Sequence, residues 1–456
     1  MPRKDTLYVM VTVIFCSFVV GFFGTSHGKP DAVYDRFETL ANVIDMIDDR
    51  YVDEVDRDEL MYGAIEGVMN KLDEHSVFLS PKVFKEFQES MTGEFGGLGI
   101  EITVEDGVLT VVAPIEDTPA FEAGILAGDK IVEIEDKPTK GMTTTDAVKV
   151  LRGKPGTKVT ITVLHPSRKK PEKITITRAK INVGSIKGYK RDENDHWDYM
   201  LDDEAKIGYI RVTSFQSKTY EDFTKAVDQL RKQGMKSLVI DLRFNPGGLL
   251  RSAEQMSDLF ISEGVIVSQK TRNPAGDPPP TKASEFGTYP YFDVVVLINQ
   301  YSASASEILS GCLQDHKRAI VIGEKSFGKG TVQSMFYLEN RSCALKMTTA
   351  RYYLPSGRSI QRTGDGKNGG VTPDIEVVVP EEDMPKLLYL WREAARHVNS
   401  PVDKKTEDIP EEFLGADGKP YVDPQLKRAV DFLHDAEKHR MLVEARQGEA
   451  DEAAKK

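Results

Sequence analysis

Leu7 to Phe23 is a nearly unbroken apolar run of 17 residues behind Arg3 and Lys4. That length sits at the lower edge of a membrane span and above the usual apolar region of a signal peptide. Gly24-Thr25-Ser26-His27 is a poor small-x-small cleavage match, and Val13-Ile14-Phe15-Cys16 does not read as a lipoprotein site. The pattern predicts an uncleaved signal anchor, with a removed signal as the alternative; either way the basic end stays cytoplasmic and the bulk is exported. Over 31–92 the period becomes helical. Phe37, Leu40, Ile44, Ile47 and Tyr51 recur at threes and fours, and Met61, Ile65, Val68 and Leu72 continue the stripe. Such a stripe predicts core, with packing on a partner or a second copy as the alternative.

From Gly93 to about Leu164 alternating strands dominate, with a short helix from Thr145 to Leu151. From Lys206 onward strand-length apolar runs alternate with helical stripes. Ile207 to Val212 and Ser237 to Arg243 read as strands, and Tyr220 to Gln233 as a helix burying Phe223, Val227 and Leu230. Val294 to Ile298 and Ala319 to Ile322 are further buried strands, with Ile308, Leu309, Cys312 and Leu313 at helical spacing between them. This alternation predicts an α/β core. Pro274 to Tyr289 reads as an exposed loop. Leu426, Ala429, Val430, Leu433 and Ala436 make a weak helical stripe, and the charged tail after about Arg446 is expected to be disordered.

Two short pieces carry candidate chemistry. Asn299-Gln300-Tyr301-Ser302-Ala303-Ser304-Ala305-Ser306-Glu307 lies at a strand-to-helix turn, where backbone N–H groups lack intrahelical partners and favour negative charge. Ser304 to Glu307 also fits a capping box that merely starts a helix. A serine nucleophile needs a base held against it. His316 would stand roughly 18 Å away along a continuous helix, which excludes it. Lys329, in Gly323-Glu324-Lys325-Ser326-Phe327-Gly328-Lys329-Gly330-Thr331-Val332-Gln333, is the better candidate, because burial among apolar groups can make a lysine a base near neutrality. Gln333 reaches the lysine head if 329–333 form a helical turn, with side chains ~6 Å apart. In an extended strand the separation is ~13 Å and direct contact fails. Pattern leaves both open.

Together, Ser302-Ala303-Ser304-Ala305-Ser306-Glu307 and Phe327-Gly328-Lys329-Gly330-Thr331-Val332-Gln333 closely resemble the carboxyl-terminal processing, or tail-specific, proteases. The resemblance implies Ser304 as nucleophile, Lys329 as general base and Gln333 as the glutamine of the same motif. The loop Asp241-Leu242-Arg243-Phe244-Asn245-Pro246-Gly247-Gly248 resembles the family segment that supplies one oxyanion N–H, so Gly247 or Gly248 would act with Ala305. Asp241 and Arg243 read as a structural pair. Gly93 to Ala179 looks like a PDZ domain of the bacterial protease type. There Gly96, Gly97 and Gly99 would free backbone N–H groups to receive a peptide's terminal carboxylate, the strand from Leu98 to Thr103 offers an edge for strand addition, and Gly97, Leu98, Gly99, Ile100 and Arg152 are the expected peptide-binding residues. Arg152 is either a surface charge or a contact to the protease domain.

The resemblance spans roughly Phe37 to His434. It implies an α/β multidomain fold, a ClpP/crotonase-like spiral protease core with an inserted β-rich PDZ domain and helical N- and C-terminal segments. The expected divisions are 1–24 anchor, 31–92 helical region, 93–179 PDZ domain, 180–395 Ser/Lys protease core and 396–456 C-terminal helix and tail. The implied activity is endoproteolysis of exported proteins at flexible, apolar C-termini, on the extracytoplasmic face of the membrane. A homo-oligomer or a regulatory adaptor stays open as a partner.

Composition narrows this further. A net charge of −12 argues against general binding to nucleic acid or anionic lipid. Eight scattered histidines and three cysteines, without a paired-ligand spacing, predict neither metal nor cofactor. Cys312 and Cys343 are expected as buried free thiols rather than a pair. Two rivals remain: a catalytically inactive PDZ peptide-binding scaffold, and an acyl-CoA enzyme of the crotonase type sharing the core.

Overall fold

The computed structural model describes residues 32–435, apart from 106, 116–117, 127, 166–169, 339–340, 364–368, 396–412 and 416. The apolar run Leu7 to Phe23 and the charged tail lie outside the described residues. Among those described, no helix is long and apolar enough to cross a membrane. The chain divides into two compact units: residues to Ser80 with Phe336–Lys346, and Pro81–Met335 with Met347 onward.

In the first unit, helices Ala32–Arg50 and Arg57–Met69 are joined by a turn that Asp56 caps, its carboxylate accepting from the Asp58 and Glu59 N–H groups. Arg57 bridges back to Asp45 and Asp48. Strand Val77–Leu79 pairs antiparallel with Ala344 to Lys346, burying Phe78 and Leu79. The expected core stripe is buried only at Ile44, while Phe37 and Tyr51 remain 61% and 60% exposed. Two helices and a short strand pair form too thin a layer to cover both ends of that stripe.

The second unit carries two β systems. The region expected as a PDZ domain is a sheet in the order Ile100–Glu105, Val108–Pro114, Lys130–Ile134, Lys158–Leu164, Glu172–Thr177, with helix Thr144–Leu151 packed beside the first strand. Leu98, Leu109, Ile131, Val159 and Ile161 form its core. Its entry strand Glu94–Gly97 pairs antiparallel with its exit strand Ala179–Asn182, as an inserted domain requires. Glu94 accepts a hydrogen bond from Lys218 of the α/β core at 2.9 Å, which fastens that stem.

The α/β core is a sheet whose central strands Ile207–Val212, Ser237–Asp241, Asp293–Ile298, Ile320–Gly323 and Ile375–Glu376 run parallel in that order. Burial on both faces explains why these strands read as continuous apolar runs. Successive side chains alternate between faces. Leu238, Ile240, Val294 and Val296 meet helices Thr219–Lys232, Leu250–Asp258 and Ala305–Asp315, while Val239, Val295, Leu297 and Ile322 meet helix Pro424–His434. That last helix buries Ala429, Phe432 and Leu433, so the weak C-terminal stripe belongs to the core. Cys312 and Cys343 are both buried thiols outside any disulfide among the described residues, as expected.

Arg243 fastens the C-terminal helix to the sheet. Fully buried, it donates to Asp241, to Asp423 and to Gln425, and Tyr209 donates to Asp241 at 2.8 Å. Burial disfavours the guanidinium charge, but the two carboxylates outweigh it and hold Arg243 well above its ordinary pKa. The Asp241–Arg243 pair is therefore structural, and it includes two residues 180 or more positions away.

Candidate active site

Three loops leave the carboxyl ends of three adjacent parallel strands, where ligands bind in open α/β sheets. They are 242–249 after Ser237–Asp241, 299–304 after Asp293–Ile298, and 324–330 after Ile320–Gly323. The first two are laced together. Ser302 Oγ donates to the Leu242 carbonyl at 2.8 Å, and the Phe244 N–H donates to Asn299 Oδ1 at 3.0 Å. The Asn245 carbonyl accepts from the Ala303 N–H and from Ser306 Oγ.

Ser304 stands half-buried immediately before helix Ala305–Asp315, as expected, with φ +55° and ψ −112°. A side-chain-bearing residue there is strained by about 1–3 kcal/mol, a condition common where a functional group is held out of the regular chain path. Gly247 abuts it. A Cβ added at Gly247 would fall 2.9 Å from both Ser304 Cβ and the Ala305 nitrogen, and the backbone there has φ +98°. Only glycine lets the first loop approach so closely.

Glu307 binds the third loop to the serine. It is fully buried, and its Oε2 accepts from the Ser304 N–H at 2.8 Å and from the Lys329 N–H at 2.9 Å. The two amide nitrogens thus lie no further apart than the sum of those bond lengths. Oε1 accepts from the Gly328 N–H at 2.6 Å and Ser326 Oγ at 2.5 Å, and Ser326 Oγ in turn accepts from the Val371 N–H. The predicted capping glutamate is present, and it does more than start a helix. Burial pushes its carboxyl above the usual carboxylate range, against the opposing pull of its four hydrogen bonds. Four donors fill the acceptor sites of an ionised carboxylate, and burial outweighs their pull.

Lys329 is half-buried between Gly328 and Gly330, with Val332 buried beyond. Residues 329–333 do not make a helical turn, because a strand, Thr331–Leu338, begins two residues after the lysine. The extended alternative holds, and Gln333 Nε2 donates instead to the Thr331 and Thr348 hydroxyls at 2.8 and 3.3 Å. His316 sits at the far end of the serine's helix, with Nε2 2.7 Å from the Val265 carbonyl.

The two glycines expected to supply an oxyanion N–H differ. The Gly247 N–H donates to Asn245 Oδ1 at 2.9 Å. Gly248 forms a parallel bridge with Phe215 through the Gly247 carbonyl and the Leu249 N–H, which turns its own N–H away from Phe215. Ala305 opens the helix, where the first N–H groups have no intrahelical acceptor.

In the PDZ region Leu98 is buried in the core and Gly99 turns the chain with φ +82° against Thr118. Ile100 begins the strand at the sheet's free edge, beside helix Thr144–Leu151. Gly97 ends the entry strand of the stem. Arg152 lies with its guanidinium 4.3 Å from the Phe95 ring centroid and 3.9 Å from Glu89, so it grips the stem.

Sequence reasoning did not single out Asn245, Ser302, Ser306 or Ser326, and it read Glu307 only as a cap. Their partners come from loops far away in the chain, and short polar residues in a loop carry no distinctive signal.

A free sheet edge in a small β domain, on a core that presents a strained serine beside a loop lysine, defines a PDZ-containing protease. Residues 206–377 match peptidase family S41, 96–177 match the PDZ domain, and 24–82 match the activating protease CtpB N-terminal domain. A carboxy-terminal-processing protease of Bartonella bacilliformis is 38% identical over 83% of this chain and 84% of its own length. The carboxy-terminal processing protease CtpA of Bacillus subtilis is 32% identical over 86% of this chain and 80% of its own. The solved photosystem II D1 C-terminal processing protease aligns at 27% identity and a TM-score of 0.42 over 78% of this chain and 96% of that one. The chain belongs to the carboxy-terminal processing proteases of peptidase family S41, and it is a protease with a PDZ domain.

Proposed function

We propose that this protein is a serine endopeptidase whose Ser304 is deprotonated by a neutral Lys329. One observation carries the reading: a single Glu307 oxygen accepts from the backbone of both residues. In the reaction Ser304 Oγ attacks the peptide carbonyl while Lys329 takes its proton. The N–H groups of Ala305 and Gly248 receive the developing oxyanion, with Gly247 keeping its N–H on Asn245 and holding the loop against the serine. Lys329 then returns the proton to the leaving amine; water attacks the acyl-enzyme as it gives a proton to Lys329, and Lys329 passes that proton to Ser304 Oγ as the acid product departs. Gln333, spaced two strand residues from Thr331, acts through the threonine pair rather than directly on the lysine.

The substrate is a flexible protein with an apolar C-terminus. That terminus adds to the free edge at Ile100, its carboxylate facing the backbone of Leu98 and Gly99 at the tip of the Gly97 stem. The apolar run Leu7 to Phe23 anchors the protein, and catalysis faces the extracytoplasmic side.

The test is digestion of one unfolded protein with its C-terminus free or amidated, by the wild type, Ser304→Ala and Lys329→Ala. The reading expects cleavage by the wild type alone, slower on the amidated form. Undiminished cleavage by Ser304→Ala would remove it.

A further inference from the structure

A partly open cavity of about 520 Å³ lies between the hairpin Lys190–Arg191/Trp197–Asp198, the strand Ile207–Val212 and the C-terminal helices. Its size is ordinary for a small-ligand site. Tyr189, Trp197, Tyr209, Arg211, Trp391 and Tyr421 line it, none of them part of the serine or lysine loops.

Charge at its wall is not balanced. Lys427 pairs with Asp431, and Lys190 lies 3.9 Å from Asp198. Asp423, also in the wall, gives both carboxylate oxygens to Arg243. Arg211 is different. Its guanidinium rests 4.2 Å from the Trp391 ring centroid, and among the described residues no carboxylate lies within ion-pairing distance of it. Tyr421, 9% exposed, has a buried hydroxyl with no hydrogen-bond partner among the described residues. An arginine whose partner among the described residues is a ring, in an aromatic cavity, is the chemistry that receives a planar anion on an apolar body.

We propose that this cavity binds a carboxylate carried on an apolar or aromatic group, with Arg211 taking the carboxylate and Trp197 and Trp391 flanking the body. A peptide C-terminus and a free organic acid share that chemistry. The site is separate from the PDZ edge and does not depend on proteolysis. It does touch the catalytic framework, because Tyr209 and Asp423 in its wall hold Asp241 and Arg243 at the root of the loop bearing Gly247 and Gly248.

The chain has two tryptophans, and both line the cavity, so intrinsic emission reads its occupancy directly. Full-length protein is titrated with N-acetyl-L-leucine, N-acetyl-L-leucinamide, and a short peptide ending in leucine with a free or amidated terminus. The expected result is a saturable change with the free acid, at least about tenfold weaker with the amide, and weakened about tenfold or more in Arg211→Gln. A response to the peptide acid as well assigns the site to protein C-termini; a response to N-acetyl-leucine alone assigns it to small acids. No saturable change, or equal affinity for acid and amide, overturns the proposal. So does wild-type affinity in a folded Arg211→Gln; should that variant not fold, the acid–amide comparison on the wild type decides.

Discussion

Glu307 takes the backbone N–H of Lys329 at 2.9 Å across 22 residues of sequence, with an oxygen that also holds the N–H of Ser304. The buried carboxylate therefore sets where the lysine loop sits relative to the serine. Glu307→Gln presents an N–H₂ to groups that are themselves donors, so at least one buried donor loses its acceptor. The expected cost is about 1–3 kcal/mol in unfolding free energy. Turnover should fall with little change in KM, because the misplaced part is the proposed base and not the proposed peptide edge. Urea unfolding and steady-state kinetics on one peptide check both.

The same carboxyl gives a pH signature. Burial raises its folded-state pKa above the unfolded value. The folded protein therefore binds that proton more tightly, and the associated stability is complete below the ordinary carboxylate range. It is lost as pH rises through the folded-state pKa. Glu307→Gln does not titrate there. The stability of the wild type minus that of the variant should fall as pH climbs from the ordinary carboxylate range, then level off. A difference independent of pH across that window would contradict the linkage.

Gly247→Ala tests the close approach of the first loop. The new methyl would sit 2.7 Å from the Ala303 carbonyl and 2.9 Å from Ser304 Cβ, at a backbone φ of +98°. Something must move, and the neighbours include the proposed oxyanion donor Ala305. The expected loss is roughly 10²–10³ in kcat, comparable to removing one oxyanion contact. Binding of a C-terminal peptide to the PDZ region should be unchanged.

Arg243→Ala should destabilise the protein by about 3–5 kcal/mol, because it leaves Asp241 and Asp423 buried without their counter-charge. Loss of the contact between helix Pro424–His434 and the sheet should accompany it, visible as faster amide exchange in Ala429 to Leu433.

Much of this arrangement was legible in the chain, for identifiable reasons. The strands at Ile207 to Val212, Ser237 to Asp241 and Val294 to Ile298 announced themselves because burial on both faces demands continuous apolar residues. Ser304 could be placed at a helix start because the strand before it and the helical spacing after it bracket the turn. Gln333 could not be resolved, since helix and strand give the lysine opposite neighbours and a few residues after a glycine carry no period. The Glu307 clamp was hidden for another reason. A glutamate three residues after a serine satisfies a local cap, and nothing local reports that Ser326, Gly328 and Lys329 return to the same oxygens. The exposed ends of the Phe37–Tyr51 stripe were likewise invisible, because periodicity reports an apolar face but not how much of it is covered.

If Lys329 is the base, as proposed, activity depends on acidity. Hydrolysis should fall steadily from about pH 9 to pH 5 as Lys329 gains its proton, under conditions where the fold stays intact. A flat profile over that range would assign the proton transfer elsewhere.

The most direct measurement is the rate at which a fluorophosphonate labels Ser304, followed by intact-protein mass and peptide mapping. The account predicts one label, on Ser304, and labelling slowed by about 10²-fold or more in a folded Lys329→Ala. A wild-type labelling rate in that variant, or a label on any other residue, would contradict it.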